Sequence, residues 1–337
     1  MWFLESWLIS WYLDKDQKPG LLGVNRVSDT WSYEVGGKIM SQLKIRKPRF
    51  LRWLSSLVKF LTIAYITCCI LLFILQTRLI FSPTSAIAKT PDAFNIPYEE
   101  VWLPVGDRSP KTEKTDKIHG WWLPAANPQP LGTLLYLHGK GFNIGANINQ
   151  SYRFRQLGFS VLLIDYRGYG RSQGSFPSEN RVYEDAETAY NYLVKQRQLS
   201  PSEIFLYGHS LGGAVAVELA VAHSEAAGLI VQSSFTSMLN MVESYSIMRL
   251  FPARLLLTQK FDSLNKVKSI KIPVLFAHGS ADTLIPAAMS KKLYAASGEP
   301  KQILLVAKAK HNNGDTFFNS SEYRQTIVNF AKQYRIK

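Results

Sequence analysis

A strand that turns straight into a helix leaves no room for side chains beside its apex, and residues 204–213, Ile-Phe-Leu-Tyr-Gly-His-Ser-Leu-Gly-Gly, are written to that restriction. A β-branched and aromatic run ends at Gly208, and an alanine-rich stretch from Ala214 to Ala222 comes at once after the turn. Where the backbone bends this sharply, the residues two before and two after the apex must be nearly bare. Gly208 and Gly212 meet that demand, and Ser210 takes the strained apex itself. The Gly-X-Ser-X-Gly spacing alone also suits a plain turn with a helix-capping serine. The flanking strand and helix argue for the sharper reading, as do an acid and a histidine downstream in the chain.

From Tyr98 onward, strand and helix patterns alternate. Residues 98–103 and 117–123 read as an early strand pair around a charged loop, and 133–137 and 160–164 as further strands. An amphipathic helix is expected over 183–196, then a strand at 204–207, a helix at 211–223 and a strand at 228–231. The pattern resumes with a strand at 274–277, a helix at 287–296, a strand at 302–306 and a closing helix over 316–334. Continuous apolar strands alternating with helices predict a mostly parallel sheet covered on both faces.

Open sheets of this kind place their chemistry at strand ends. His-Gly-Ser-Ala-Asp at 278–282 follows one strand and offers Asp282 as an acid that orients a histidine; alone, it reads equally as a surface turn. Ala-Lys-His-Asn-Asn at 309–313 follows the last strand and places His311 on a loop. The order Ser210, Asp282, His311 is that of a Ser-Asp-His triad in an α/β hydrolase. Asp262 is the reserve acid. A fourth constellation, His-Gly-Lys-Gly-Phe-Asn at 138–143, follows the strand from Thr133. Its glycines let backbone N–H groups face the serine, so the N–H groups of Lys140 and Leu211 are the expected oxyanion donors, with Gly141 the alternative one register on. Losing one such donor costs about 2.7 to 4 kcal/mol of transition-state stabilisation. His138 and His209 read as motif fillers, His278 as a strand-end residue, His119 and His223 as exposed, and Asp165 and Arg167 as braces for the loop beside the apex.

Together, these motifs and Asp-Tyr-Arg-Gly-Tyr-Gly-Arg-Ser at 165–172 resemble the α/β-hydrolase superfamily. An apolar segment followed by Leu-Ile-Phe-Ser-Pro at 79–83 is similar, more narrowly, to its membrane-anchored serine hydrolases, including depalmitoylase-like and serine aminopeptidase-like members. The resemblance implies an α/β-hydrolase fold over 78–337, preceded by one transmembrane helix. It also implies a short lid over 235–271, and acyl transfer through an acyl-enzyme with no cofactor or metal. An ester or thioester substrate, lipid-linked ones included, is the first reading. A peptide substrate is the second, and a non-catalytic binding module the third. Lys140 and Lys310 stand where that family usually has a small residue and a glycine, which adds positive charge near the site.

Leu54 to Leu75 is about 22 residues long with Lys59 its sole charge, long enough to span a bilayer. A cleaved signal peptide is the competing reading, but this core exceeds the usual 7 to 15 residues. The anchor is placed at 50–77. Lys38, Lys44, Arg46, Lys47, Arg49 and Arg52 precede it, against Arg78 and Lys89 after it, so residues 1–49 are expected in the cytoplasm and the hydrolase domain on the periplasmic, lumenal or extracellular side. Residues 1–39 read either as a tryptophan-rich interfacial helix with a polar tail or as sequence upstream of a true start at Met40. The net charge of +14 is spread along the chain, with 10 Lys+Arg against 5 Asp+Glu in residues 1–77. No nucleic-acid motif accompanies it, so a solvated basic surface is expected, without nucleic acid or an obligate protein partner; a basic face near anionic lipid is also compatible. Cys68 and Cys69 are neighbours in the apolar stretch and form neither a distant staple nor a metal site.

Overall fold

A computed structural model of the chain describes residues 24–27, 30–35, 38–39, 48–106 and 115–335. It divides into two units, residues 1–68 and 69–337. In the first unit, Val24–Val27, Thr30–Val35 and Lys38–Ile39 form an antiparallel meander, which the sequence pattern did not suggest. The tryptophan-rich residues 1–13 lie outside the described residues. Helix α1, Arg49–Ile80, begins in this unit and ends in the second; it is long and apolar enough to cross a membrane.

The second unit is built on eight strands: β1 Glu99–Val105, β2 Asp116–Leu123, β3 Gly132–Leu137, β4 Phe159–Ile164, β5 Ile204–His209, β6 Gly228–Gln232, β7 Val274–Gly279 and β8 Lys301–Val306. Their order across the sheet is β1-β2-β4-β3-β5-β6-β7-β8. β1 pairs antiparallel with β2, and β2 antiparallel with β4; every other neighbour is parallel. Because side chains alternate across a strand, the apolar runs feed two cores. Leu135, Leu162, Ile164 and Leu206 pack into one, whereas Leu134, Tyr136, Leu163 and Tyr207 pack into the other. Double burial is the reason that these strands read as unbroken apolar runs rather than alternating ones.

Helices α2 Ile144–Leu157, α3 Glu179–Lys195, α4 Leu211–Ala222, α5 Ala288–Ala296 and α6 Ser321–Tyr334 cover the sheet. Two differ from the sequence pattern. α2 had no periodic signature; it starts because Asn143 caps it, accepting from the Gly145 N–H. The closing helix is broken in two, Gly314–Asn319 and α6, because the Ser320 hydroxyl caps a second start at Tyr323 N–H. His119 is buried, against expectation, with its ring 4.8 Å from that of Trp102. His223 is half-buried between Glu187 and Glu225.

The expected lid, 235–271, divides by burial. Residues 238–256 form short surface helices, while Ser263, Val267 and Ile270 are buried. One fastening went unread in the sequence. Gln76, on the last turns of α1, donates to Leu256 O (3.1 Å) and accepts from the Thr258 N–H (2.7 Å) and hydroxyl (2.9 Å). A side chain that bonds to three groups of a loop 180 residues away pins that loop.

Candidate active site

The site forms where β5, β7 and β8 end. At the turn from β5 to α4, Ser210 sits at φ 56°, ψ −120°. The glycine requirement is visible as distances. A Cβ on Gly208 would lie 2.1 Å from Gly212 O, and one on Gly212 would lie 2.0 Å from Leu137 O. No side chain fits either position. The apex is held from behind, with Ser210 N–H donating to Gln232 O (2.9 Å) and the Ser234 hydroxyl donating to Ser210 O (2.8 Å). A serine strained in this way and fixed on both sides of its peptide presents Oγ in one direction.

His311, on the loop after β8, meets it. His311 Nε2 lies 2.9 Å from Ser210 Oγ, and His311 Nδ1 lies 2.7 Å from Asp282 Oδ2. All three residues are buried. Asp282 follows β7, and its Oδ1 accepts from the N–H groups of Leu284 and Ile285, both at 2.9 Å. Burial alone would raise its pKa, but hydrogen bonds from His278, His311 and the Ile285 N–H outweigh burial and hold the carboxyl well below the usual carboxylate range. Asp282 is thus an acceptor at both oxygens, so the proton of the His311 ring resides on Nδ1 and Nε2 presents a lone pair to the serine hydroxyl. That arrangement can withdraw a proton from Oγ. Asp262, the reserve acid, is spent elsewhere: it caps Ser263–Lys266, accepting from the Asn265 side chain at 2.7 Å.

The other histidines brace the site. His278 places Nε2 2.8 Å from Ile285 O and Nδ1 2.7 Å from the Ser290 hydroxyl, which fixes the loop carrying Asp282. His209 Nε2 lies 3.1 Å from His311 O and so must donate. Burial, then the nearby His311, pushes the His209 pKa down to about 4. The sign follows by linkage. Between pH 6.5 and 4 the unfolded chain protonates this ring and the folded one does not, so stability falls as pH drops through that window. The loss is at most about 3 kcal/mol. Urea midpoints of the detergent-solubilised protein at about pH 7 and pH 4.5 should therefore differ, and His209→Gln, which retains a donor, should narrow the difference. An unchanged pH slope in the variant would reject this assignment.

The loop after β3 packs against the apex. A Cβ on Gly139 would lie 3.3 Å from Ser210 Cβ. The Lys140 carbonyl accepts from Ser82 N–H (3.0 Å) and the Tyr169 hydroxyl (2.5 Å), and residues 82–83 pair in parallel with 141–142. Asn143 ties the same loop to Thr84 and Ala86, and Asp165 accepts from the Ile144 N–H at 2.9 Å. Asp165 therefore braces as expected, while Arg167 anchors α3 through Asp185 (2.6 Å). Lys140, Ser210 and Leu211 line one cavity of about 320 Å³, whose remaining walls are mostly Leu, Met, Ile and Phe. Lys310 is exposed and stands outside that lining.

A family model described as serine aminopeptidase, S33, matches residues 128–262. An uncharacterized protein of Mycobacterium tuberculosis is 34% identical over 239 residues, 71% of this chain and 81% of the relative. Protein bem46 of Schizosaccharomyces pombe is 32% identical over 255 residues, 72% of this chain and 80% of its own. Among solved structures, an esterase of Pyrococcus furiosus superposes with a TM-score of 0.60 at 20% identity, covering 76% of this chain and 98% of that one.

Proposed function

The chain belongs to the α/β-hydrolase superfamily, and from that premise we propose that it is a membrane-anchored serine hydrolase that cleaves carboxylic esters or thioesters through an acyl-enzyme on Ser210. The observation that carries this reading is the relay Ser210 Oγ, His311, Asp282, at 2.9 and 2.7 Å, on a serine held at φ 56°. Ser210 Oγ bonds to the carbonyl carbon while its proton passes to His311 Nε2. The tetrahedral oxyanion is met by the N–H groups of Lys140 and Leu211. Collapse expels the alcohol or thiol, which leaves with the proton from His311. Water, deprotonated by the same nitrogen, then releases the acid and restores the serine. α1 is the anchor in this reading, and the charge asymmetry around it supports a cytoplasmic N-terminus with the catalytic domain on the trans side.

A peptidase is the second reading, favoured by the family model matched at 128–262. Recognition of a substrate amine calls for a carboxylate in the binding cavity, and among the described residues the cavity beside Ser210 is lined by none. Fluorophosphonate labelling of the detergent-solubilised protein, run beside Ser210→Ala, tests the proposal. Labelling of the wild type and none of the variant is expected, with turnover of p-nitrophenyl esters and none of aminoacyl p-nitroanilides. A wild-type protein that neither labels nor cleaves ester would overturn it, and cleavage of the anilides alone would install the peptidase reading.

A further inference from the structure

The cavity beside Ser210 shares a wall with the membrane helix. Leu72, Gln76, Leu79 and Ile80 line it. Spaced at i, i+4, i+7 and i+8, they form one face of α1, the helix apolar enough to cross a bilayer. From Leu72 to Ile80 that helix rises about 12 Å, so the stretch suited to hydrocarbon runs directly into the cavity wall. The lid segment supplies further lining: Met238, Met241, Val242 and Tyr245. Gln76 holds the two segments together through its bonds to Leu256 and Thr258. Ser210 and Lys140 join a lining that is otherwise mostly apolar.

The outer surface of the lid is a second and separate observation. Ile247, Leu250 and Leu255 are 58%, 66% and 82% exposed. Arg249 and Arg254 stand among them, both exposed and both reaching Glu243. Large apolar side chains turned outward between cations suit the boundary between headgroups and acyl chains far better than they suit water.

Resting on the serine-hydrolase reading, we infer that the substrate is an acyl ester resident in the bilayer, whose chain passes from the leaflet along the Leu72–Ile80 face of α1 into the cavity until its carbonyl carbon meets Ser210. The lid lies on the leaflet and α1 is the rail. A water-sized group, about the bulk of a methylene, fills roughly 30 Å³, so a cavity of 320 Å³ receives a chain of about ten carbons.

The test uses the full-length protein in vesicles of phosphatidylcholine and phosphatidylglycerol in equal parts. Its substrates are p-nitrophenyl acetate, which stays in water, and p-nitrophenyl decanoate, which enters the bilayer. Leu72→Trp narrows the slot and should lower the ratio of decanoate to acetate kcat/KM about tenfold or more. The double variant Ile247→Glu, Leu250→Glu alters only exposed positions. It should lose decanoate hydrolysis in vesicles while retaining it in detergent, where no leaflet has to be met. Unchanged ratios in both variants overturn the inference. So does a double variant that merely shifts the protein from dimer to monomer with vesicle hydrolysis intact, because the apolar lid would then cover a second copy. Failure of acetate turnover and fluorophosphonate labelling in the wild type would instead remove the serine-hydrolase reading beneath it.

Discussion

Ser210→Ala is expected to lower kcat for ester hydrolysis by about 10⁶-fold, His311→Ala by a similar factor, and the double variant by no more than either alone. The shared floor follows from the geometry. In the proposed mechanism Oγ is a nucleophile only while His311 Nε2, 2.9 Å away, can take its proton, and Nε2 has no other part in bond formation. Removing either therefore removes one function, and removing both removes it once. What survives is whatever the proposed oxyanion donors and the apolar slot contribute, roughly 10³ to 10⁴ over water. KM should change little, because neither side chain makes a large share of the cavity wall. The serine variant should also fold. Alanine at φ 56° is strained no more than serine there, and the bonds that hold the apex run through the Ser210 backbone to Gln232 and Ser234. Steady-state kinetics on p-nitrophenyl esters for the three variants decides the matter. Losses that multiply in the double variant would mean that the two residues act independently, and a relay between them would be the wrong account.

How far the sequence could be read depended on the kind of contact involved. β3 to β7 were legible because burial on both faces makes each an apolar run bounded by turn residues, a property of neighbours along the chain. Asp282 and His311 were legible for a related reason: both follow strands, and a parallel sheet brings strand ends to one edge whatever the loops contain. Gly208 and Gly212 announced the sharp turn because nothing larger fits beside Leu137 O and Gly212 O. Contacts made across the fold were not legible. Gln76 read as the residue at which the apolar run stopped; that it fastens α1 to Thr258 depends on a loop 182 residues further on. The signal available was a lone uncharged polar residue closing a membrane-length run, which water at an interface would also explain. His119 read as exposed because nothing beside it in the chain shows its burial; Trp102, from the neighbouring strand, and Trp121 enclose it. α2 went unread because its start rests on the Asn143 cap and on Asp165, not on apolar period.

Asp282→Asn should reduce kcat by about 10⁴-fold, the scale on which a wrong imidazole tautomer acts, while leaving the fold and KM nearly unchanged. The amide that replaces the carboxylate has one acceptor and one donor, and its surroundings choose which faces where. Oδ1 of Asp282 receives two backbone N–H groups, from Leu284 and Ile285, whose hydrogens are fixed, whereas the imidazole of His311 at Oδ2 can shift its proton, so the asparagine puts its carbonyl oxygen at the Oδ1 position. The NH₂ group is then turned to His311 Nδ1, at the position now 2.7 Å from Oδ2. Faced with a donor, Nδ1 becomes an acceptor, and the ring proton moves to Nε2. Nε2 then points an N–H at Ser210 Oγ and can no longer take its proton. Asp282→Ala differs in a way that separates orientation from charge: it leaves the buried Ile285 N–H without an acceptor, which should cost about 1 to 3 kcal/mol in stability as well as activity. Paired measurements of kcat and urea midpoint on the two variants test this account. A tautomer trap predicts an inactive, stable asparagine variant and a less stable alanine variant. An asparagine variant within about tenfold of wild type would show that Asp282 does not set the proton on His311, and the order Ser210, His311, Asp282 would then be geometry without a relay.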